Sequence, residues 1–319
     1  MVQVIQALIS GLMVGAVYAL IALGIVAVYK TTRVVNFAHG YVIMFGAYLY
    51  YAFTVQFPEL GLLPEWVFIY DPVWMAAAKA EAGWFTPMAA WLKWLSDLPR
   101  IIVGLIFAMI GASIMGILIE RFMLRPLMGQ STFSMIMVTV GLISVISGIK
   151  TLIWPGVSAT VPSLGPDPTI KIQLGEGFAN TLFIRGADIA NMILALALFT
   201  AIVLWLRYSK SGVAIRAASE DQSTAYSMGI NVPRVFMQAW IIAAATGAIA
   251  GAILAGRSGI SPSIGLFGFS VLAIVLMGGL DSYVGCLLAA MGVGMLEALA
   301  QTFLGGEWTQ ITPYVAVLI

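Results

Sequence analysis

The strongest constraint on this chain is the length and spacing of its apolar runs. They fall at about 4–29, 41–57, 101–119, 132–154, 190–206, 236–255, 266–279 and 283–304, and another begins near Ile311. A helix needs about 20 residues, within a range of about 17–25, to cross the hydrocarbon of a bilayer. Most of the runs meet that length. Backbone in lipid must satisfy its own hydrogen bonds, so such runs fold as helices packed into a bundle. Composition agrees, because only 9% of the residues are charged and 61% are apolar, against roughly 25% charged in soluble domains. The expected fold class is all-α, a polytopic transmembrane helical bundle of about eight to nine spans in a single domain over residues 1–319.

The run Leu266–Gly279 departs from the pattern. It is short, ends in Gly278-Gly279 and follows the Gly/Ser/Pro-rich stretch Gly256–Gly265. It is expected to be a re-entrant or broken helix, enclosed by protein or beside a cavity. The first run, Val4 to Tyr29, is too long for a signal peptide and reads as a retained span. The last run stops after about nine residues, too few to cross, so the natural C-terminus is expected to lie further on.

Basic residues set the orientation. One set of alternate loops holds Lys30, Arg33, Arg121, Arg125, Arg207, Lys210, Arg216 and Arg234; the other set is longer and holds most of the acids. The first set is expected to be cytoplasmic, which puts the N-terminus outside. An outer insert at 58–100 carries Trp66, Trp74, Trp84, Trp91 and Trp94, a residue type that favours the headgroup level. Its part around 76–94 reads as an amphipathic surface helix, and the blander reading is an insert with no part in transport. Gly11-x-x-x-Gly15 and Gly247-x-x-x-Gly251 are spacings that let helix backbones approach closely.

The cytoplasmic loop 207–235 is polar yet patterned as helix. Ser219 with Gln222 reads as a capping box, and Glu220 and Asp221 fall in the first turn, where the helix dipole favours acids. Gly229 is placed to end that helix and Pro233 to prevent its continuation. A plain connector needs neither cap, so the loop reads as a docking surface for a cytoplasmic partner.

Three segments carry a family resemblance. Arg216 to Asn231 (RAASEDQSTAYSMGIN) resembles the cytoplasmic loop of branched-chain amino acid ABC transporter permeases. Gly15 to Gly40 resembles their early segment, with the signature Asn36-Phe37-Ala38-His39-Gly40, and Gly278 to Gly285 (GGLDSYVG) leads into the span with Met295-Leu296-Glu297. The resemblance runs from about residue 11 to 305. It departs at the long 58–100 insert, at Asp281, where the family often has glycine, and at the largely missing final span.

The resemblance implies a permease of the bacterial inner (plasma) membrane. It implies a second, related permease subunit, two cytoplasmic ATPase subunits and an extracytoplasmic solute-binding protein as partners. It also implies that Arg216, Ala217, Ala218, Glu220, Asp221, Ala225 and Gly229 form the ATPase-coupling element, with the alanines giving close approach and Gly229 the turn. No cofactor is expected, ATP being hydrolysed by the separate subunits.

The residues themselves agree that the motor lies elsewhere, since no G-x-x-x-x-G-K-[ST] phosphate loop occurs. One histidine and one cysteine, Cys286, make neither a metal site nor a nucleophilic constellation, nor a disulfide. A net charge of +1 gives no pointer to nucleic acid. Ionisable residues inside spans are functional suspects: Glu297 reads either as a pathway residue or as a hydrogen-bonding group between helices. Lys150 is expected to snorkel to the outer interface, and His39 to fix the corner before the second span. The leading expectation is an import permease for branched-chain or similar small amino acids. The same type of permease for urea, amides or small aromatic acids is the alternative, with a stand-alone secondary transporter or channel behind it.

Overall fold

The computed structural model describes residues 2–59, 86–127, 130–166, 169–173 and 181–318. Most of the 58–100 insert, with Trp66, Trp74, Trp84 and the first part of the expected surface helix, lies outside the described residues, as do the side chains of Trp91 and Trp94.

The architecture is an all-α bundle. Helix α1 (Val2–Thr32) is followed by α2 (His39–Tyr51), which continues through a π turn at Ala52–Gln56. Helix α3 (Thr86–Ile119) ends in a second π turn, Glu120–Leu124. Then come α4 (Thr132–Ile153), α5 (Gly186–Tyr208), the short α6 (Lys210–Glu220) and α7 (Gln222–Ser227), and α8 (Val232–Ser258). A 3-10 turn, Pro262–Leu266, leads into α9 (Phe267–Gly278), and α10 (Tyr283–Phe303) and α11 (Trp308–Leu318) complete the order. Among the described residues six helices are long and apolar enough to cross a membrane: α1, α3, α4, α5, α8 and α10. The chain is a multi-pass membrane protein.

Burial sorts these helices. In α1 and α8, 89% and 78% of the most apolar stretch is buried, against 22% in both α4 and α5. The first two therefore form the centre of the bundle, and the others present Ile, Val, Leu and Phe side chains outward, as lipid allows. The expected broken segment appears as α9, only 12 residues long. Its first turn lies against the start of α2: a Cβ on Gly268 would stand 2.5 Å from the Gly40 nitrogen. Two helices thus begin inside the bundle, at a contact that glycine makes possible.

One element departs from the expected fold. Thr169–Gln173 (β1) and Thr181–Arg185 (β2) pair antiparallel, Lys171 opposite Phe183. Their Thr and Ile content suits extended backbone. The Gln6 side chain accepts from the Phe183 N–H at 2.9 Å, so the hairpin sits at the N-terminal end of α1. The opposite end of the bundle gathers the end of α1, the α9–α10 corner and helices α6 and α7: Gln222 donates to the Thr31 carbonyl, 3.3 Å, and the Lys30 ammonium lies 4.5 Å from the Tyr283 ring centre.

Candidate functional site

Two features stand at opposite ends of the bundle. The first is a cavity of about 310 Å³ among α1, α5, α8, α10 and the start of α9. Its geometry begins with glycine. A Cβ on Gly294 would stand 2.5 Å from the Gly11 carbonyl oxygen, and one on Gly15 would stand 2.7 Å from that of Ala290. Helices α1 and α10 therefore meet backbone to backbone, one glycine pair from sequence in its expected role. That contact brings Tyr18 to Glu297, and the phenol donates to Glu297 Oε1 at 3.2 Å.

Glu297 is buried, and its other oxygen, Oε2, has no hydrogen-bond partner among the described residues. Asn191 of α5 is in the same state at Oδ1 and lines the same cavity. Arg185 and Asp188 form an ion pair at 3.1 Å on the cavity wall, and Arg257, at the end of α8, forms no ion pair among the described residues. Met13, Val14, Val17, Ile253 and Phe267 supply apolar wall. Of the polar groups here, only Glu297 stood out in the sequence. Tyr18 and Asn191 are uncharged residues within apolar runs, and nothing in their neighbours' spacing marks them.

The second feature is the pair α6 and α7. Asp221, not Ser219, caps α7, accepting from the Ser223 and Thr224 N–H groups at 2.8 and 3.1 Å. The Ser219 hydroxyl is turned back to the Arg216 carbonyl, 2.7 Å, because Ser219 still belongs to α6. The expected single helix is thus two, broken at Asp221. The Asp221 carboxyl is pulled down to about 2, chiefly by the Ser223 hydroxyl and then by the Thr224 N–H and hydroxyl. Gly229 ends α7 as expected, at φ 85°, with Gly229 N–H bonded to Tyr226 and Ile230 N–H to Ala225. This six-to-one and five-to-two pairing requires a left-handed residue.

The alanines take a different place from the one expected. Ala218 and Ala225 are buried against Leu206, Ile215, Val232 and Phe236, so they anchor the arm to the bundle. Arg216 is exposed and donates to the Leu206 carbonyl, and Ala217 is half-buried. Glu220, Asp221 and Gly229 are exposed, beside Tyr226 and Met228, which are 71% and 78% exposed. The sequence places Tyr226 and Met228 on the projecting helix beside Ala225, although the resemblance assigns coupling to the small and charged residues around them.

The Asn36–Gly40 motif forms the corner before α2. Asn36 Oδ1 accepts from the Ala38 N–H at 3.0 Å, and Asn36 and His39 are buried while Phe37 is partly exposed. The His39 ring lies beside Gly24 and Thr246. Lys150 does not snorkel: it is 4% exposed, with its ammonium 4.8 Å from the centre of the Tyr48 ring, a cation–π contact.

Comparison with known proteins shows the family. A family model described as branched-chain amino acid transport system / permease component matches residues 7–319. The high-affinity branched-chain amino acid transport system permease protein LivH of Salmonella typhimurium is 27% identical over 99% of this chain and 92% of its own length. BraD of Pseudomonas aeruginosa, a permease protein named for the same kind of system, is 27% identical over 97% of this chain and 90% of its own. A probable branched-chain amino acid transport permease protein of Methanocaldococcus jannaschii is 26% identical over 91% and 78%. No solved structure matches the chain. With a match that spans nearly every residue, both ends of the bundle included, the chain belongs to the family of branched-chain amino acid transport system permease components.

Proposed function

We propose that this chain is a membrane-spanning subunit of an ATP-driven importer and carries branched-chain or similar small amino acids across the bacterial inner membrane. The observation that carries the reading is the placement of a cavity at one end and an anchored, doubly capped helical arm at the other. The arm lies among Lys30, Arg33, Arg207 and Arg216, the side the positive charge marks as cytoplasmic. Relatives named as permease proteins of branched-chain amino acid systems support the solute class.

In this reading two cytoplasmic ATPases dock on α6 and α7, one on this chain and one on a second, related permease, while a binding protein delivers solute at the cavity end. Tyr226 and Met228 enter a groove on the ATPase, and Glu220 and Asp221 face its rim. Because Ala218 and Ala225 bind the arm to α5 and α8, a push on the arm is passed to the helices that wall the cavity.

The test is uptake of labelled leucine into proteoliposomes holding the complete assembly. Uptake should require ATP. Tyr226→Ala combined with Met228→Glu should remove ATPase binding and uptake while leaving membrane insertion intact. Leucine transport by the chain alone, without ATP, would sink the proposal in favour of a secondary transporter or channel.

A further inference from the structure

The cavity between α1, α5 and α10 is lined by residues with buried polar atoms that find no hydrogen-bond partner among the described residues. Glu297 is 7% exposed and Asn191 5% exposed, and each has one side-chain oxygen without a donor among the described residues. The Thr309 hydroxyl of α11 is a third such atom, and all three residues line this one cavity. Buried polar groups are nearly always hydrogen-bonded, and leaving one unmade is unfavourable. An orphaned carboxylate oxygen is the most demanding case, because it calls for a donor and for positive charge. Tyr18 satisfies only Oε1 and holds the carboxylate in place.

Resting on the importer reading, we propose that this cavity is the solute site and that it recognises a primary ammonium group. Glu297 is the charged acceptor, with Asn191 and Thr309 as further acceptors. An ammonium offers three N–H donors, matching in number the three unpartnered oxygens of residues that line the cavity. Arg257, free of an ion pair among the described residues, lies on the same wall and takes the solute carboxylate. Val14, Val17 and Phe267 give the solute side chain an apolar surface. At about 310 Å³ the space is at the small end of ligand cavities, which run from about 300 to 1,000 Å³.

The site thereby selects zwitterionic amino acids with short apolar side chains. A carboxylic acid without an amine meets Glu297 with like charge. Urea has no group to cover the apolar wall.

The experiment measures binding of labelled L-leucine to the purified full chain in lipid nanodiscs. Competitors are isoamylamine, which keeps only the amine, isocaproate, which keeps only the carboxylate, and urea. Isoamylamine should compete, and isocaproate and urea should not. Glu297→Gln preserves shape and the Tyr18 contact but removes the charge. It should weaken leucine binding by about 30-fold or more, the range for losing one partner of a buried charge pair, with the melting temperature unchanged.

Leucine binding by Glu297→Gln as tight as that of the unsubstituted chain overturns the site. So does isocaproate competing as well as isoamylamine, and so does the absence of leucine binding to the unsubstituted chain. If Glu297→Gln fails to insert, the competitor series on the unsubstituted chain decides. The importer reading fails separately: leucine binding that depends on Glu297, in an assembly with no ATP-driven uptake, keeps the site and removes the importer. Normal uptake by a Glu297→Gln assembly does the reverse.

Discussion

Arg33 holds Asp281 through two hydrogen bonds of 2.9 Å from one guanidinium nitrogen, and its other terminal nitrogen donates to the Ser219 carbonyl at 2.8 Å. One side chain thus ties the end of α1 to the α9–α10 corner and to the end of α6. Arg33 does so from a left-handed backbone, φ 57°, a conformation that only surrounding structure maintains in a non-glycine residue. In the sequence Asp281 is only a departure from the permeases that the chain resembles. In the structure the departure is the partner of Arg33.

The pair is expected to matter more for linking the arm to α10 than for stability. Its side chains are 48% and 57% exposed, and exposed ion pairs contribute about 0–1 kcal/mol. Asp281→Gly should therefore shift thermal stability by less than about 1 kcal/mol. It should nevertheless lower leucine uptake per ATP hydrolysed in the reconstituted assembly. An unchanged ratio would show that the arm communicates with α10 by another route.

Asp221 makes a prediction about pH. Its carboxyl is held down to about 2 by the Ser223 hydroxyl, then by the Thr224 N–H and hydroxyl. A depressed carboxyl stabilises the fold above its ordinary titration range, and that contribution disappears as pH falls through the lowered value. The cap on α7 should therefore stay intact from neutral pH down to about 4, since the unfolded-state value is about 3.9. Hydrogen exchange over residues 222–230 should be equally slow relative to the free chain at pH 5 and pH 7. Asp221→Asn, which keeps an acceptor, should preserve the protection. Asp221→Ala should lose it, and with it ATPase docking.

Much of this was legible because the bilayer imposes long, unbroken apolar runs. Both G-x-x-x-G spacings mark real close approaches, Gly15 on Ala290 and Gly251 on Ile43, since a missing side chain acts locally. The stop at Gly229 was legible for the same reason: a glycine between one helix and the Asn231-Val232-Pro233 start of the next has few alternatives. What spacing could not reveal was long-range pairing. Ser219 and Asp221 are equally good caps in isolation, and the choice between them was made by Ala218, whose burial against the core extends α6 past Ser219. Tyr18, Asn191 and Glu297 are far apart in sequence and meet only through helix packing.

Glu120 illustrates a buried charge that the apolar pattern concealed. It is fully buried and pairs with Arg125 at 2.8 Å, at the edge of the π turn Glu120–Leu124. The extra residue of that turn brings a side chain five positions on into reach. Arg125→Met leaves the carboxylate buried without its partner, which should destabilise the chain by about 3–5 kcal/mol. Adding Glu120→Gln removes the stranded charge and should recover a large part of the loss. Thermal unfolding of the single and double variants in detergent checks both statements. Equal losses in the two would mean that packing around Arg125, and not its charge, holds this corner.

Helix α10 holds two glycines that separate packing from propensity. Gly292 has open space where a Cβ would stand, whereas a Cβ on Gly294 would lie 2.5 Å from the Gly11 carbonyl and 2.8 Å from the Gly15 Cα. Alanine favours helix over glycine by about 0.5–1 kcal/mol, so Gly292→Ala should leave stability unchanged or slightly raised. Gly294→Ala gains the same propensity but forces α1 away from α10, and overpacking of this kind destabilises by about 1–3 kcal/mol. Because Tyr18 and Glu297 sit on those two helices, the separation also loosens their 3.2 Å hydrogen bond. Leucine binding should therefore weaken in Gly294→Ala and stay normal in Gly292→Ala. Equal behaviour of the two variants would mean that the α1–α10 contact does not set the cavity.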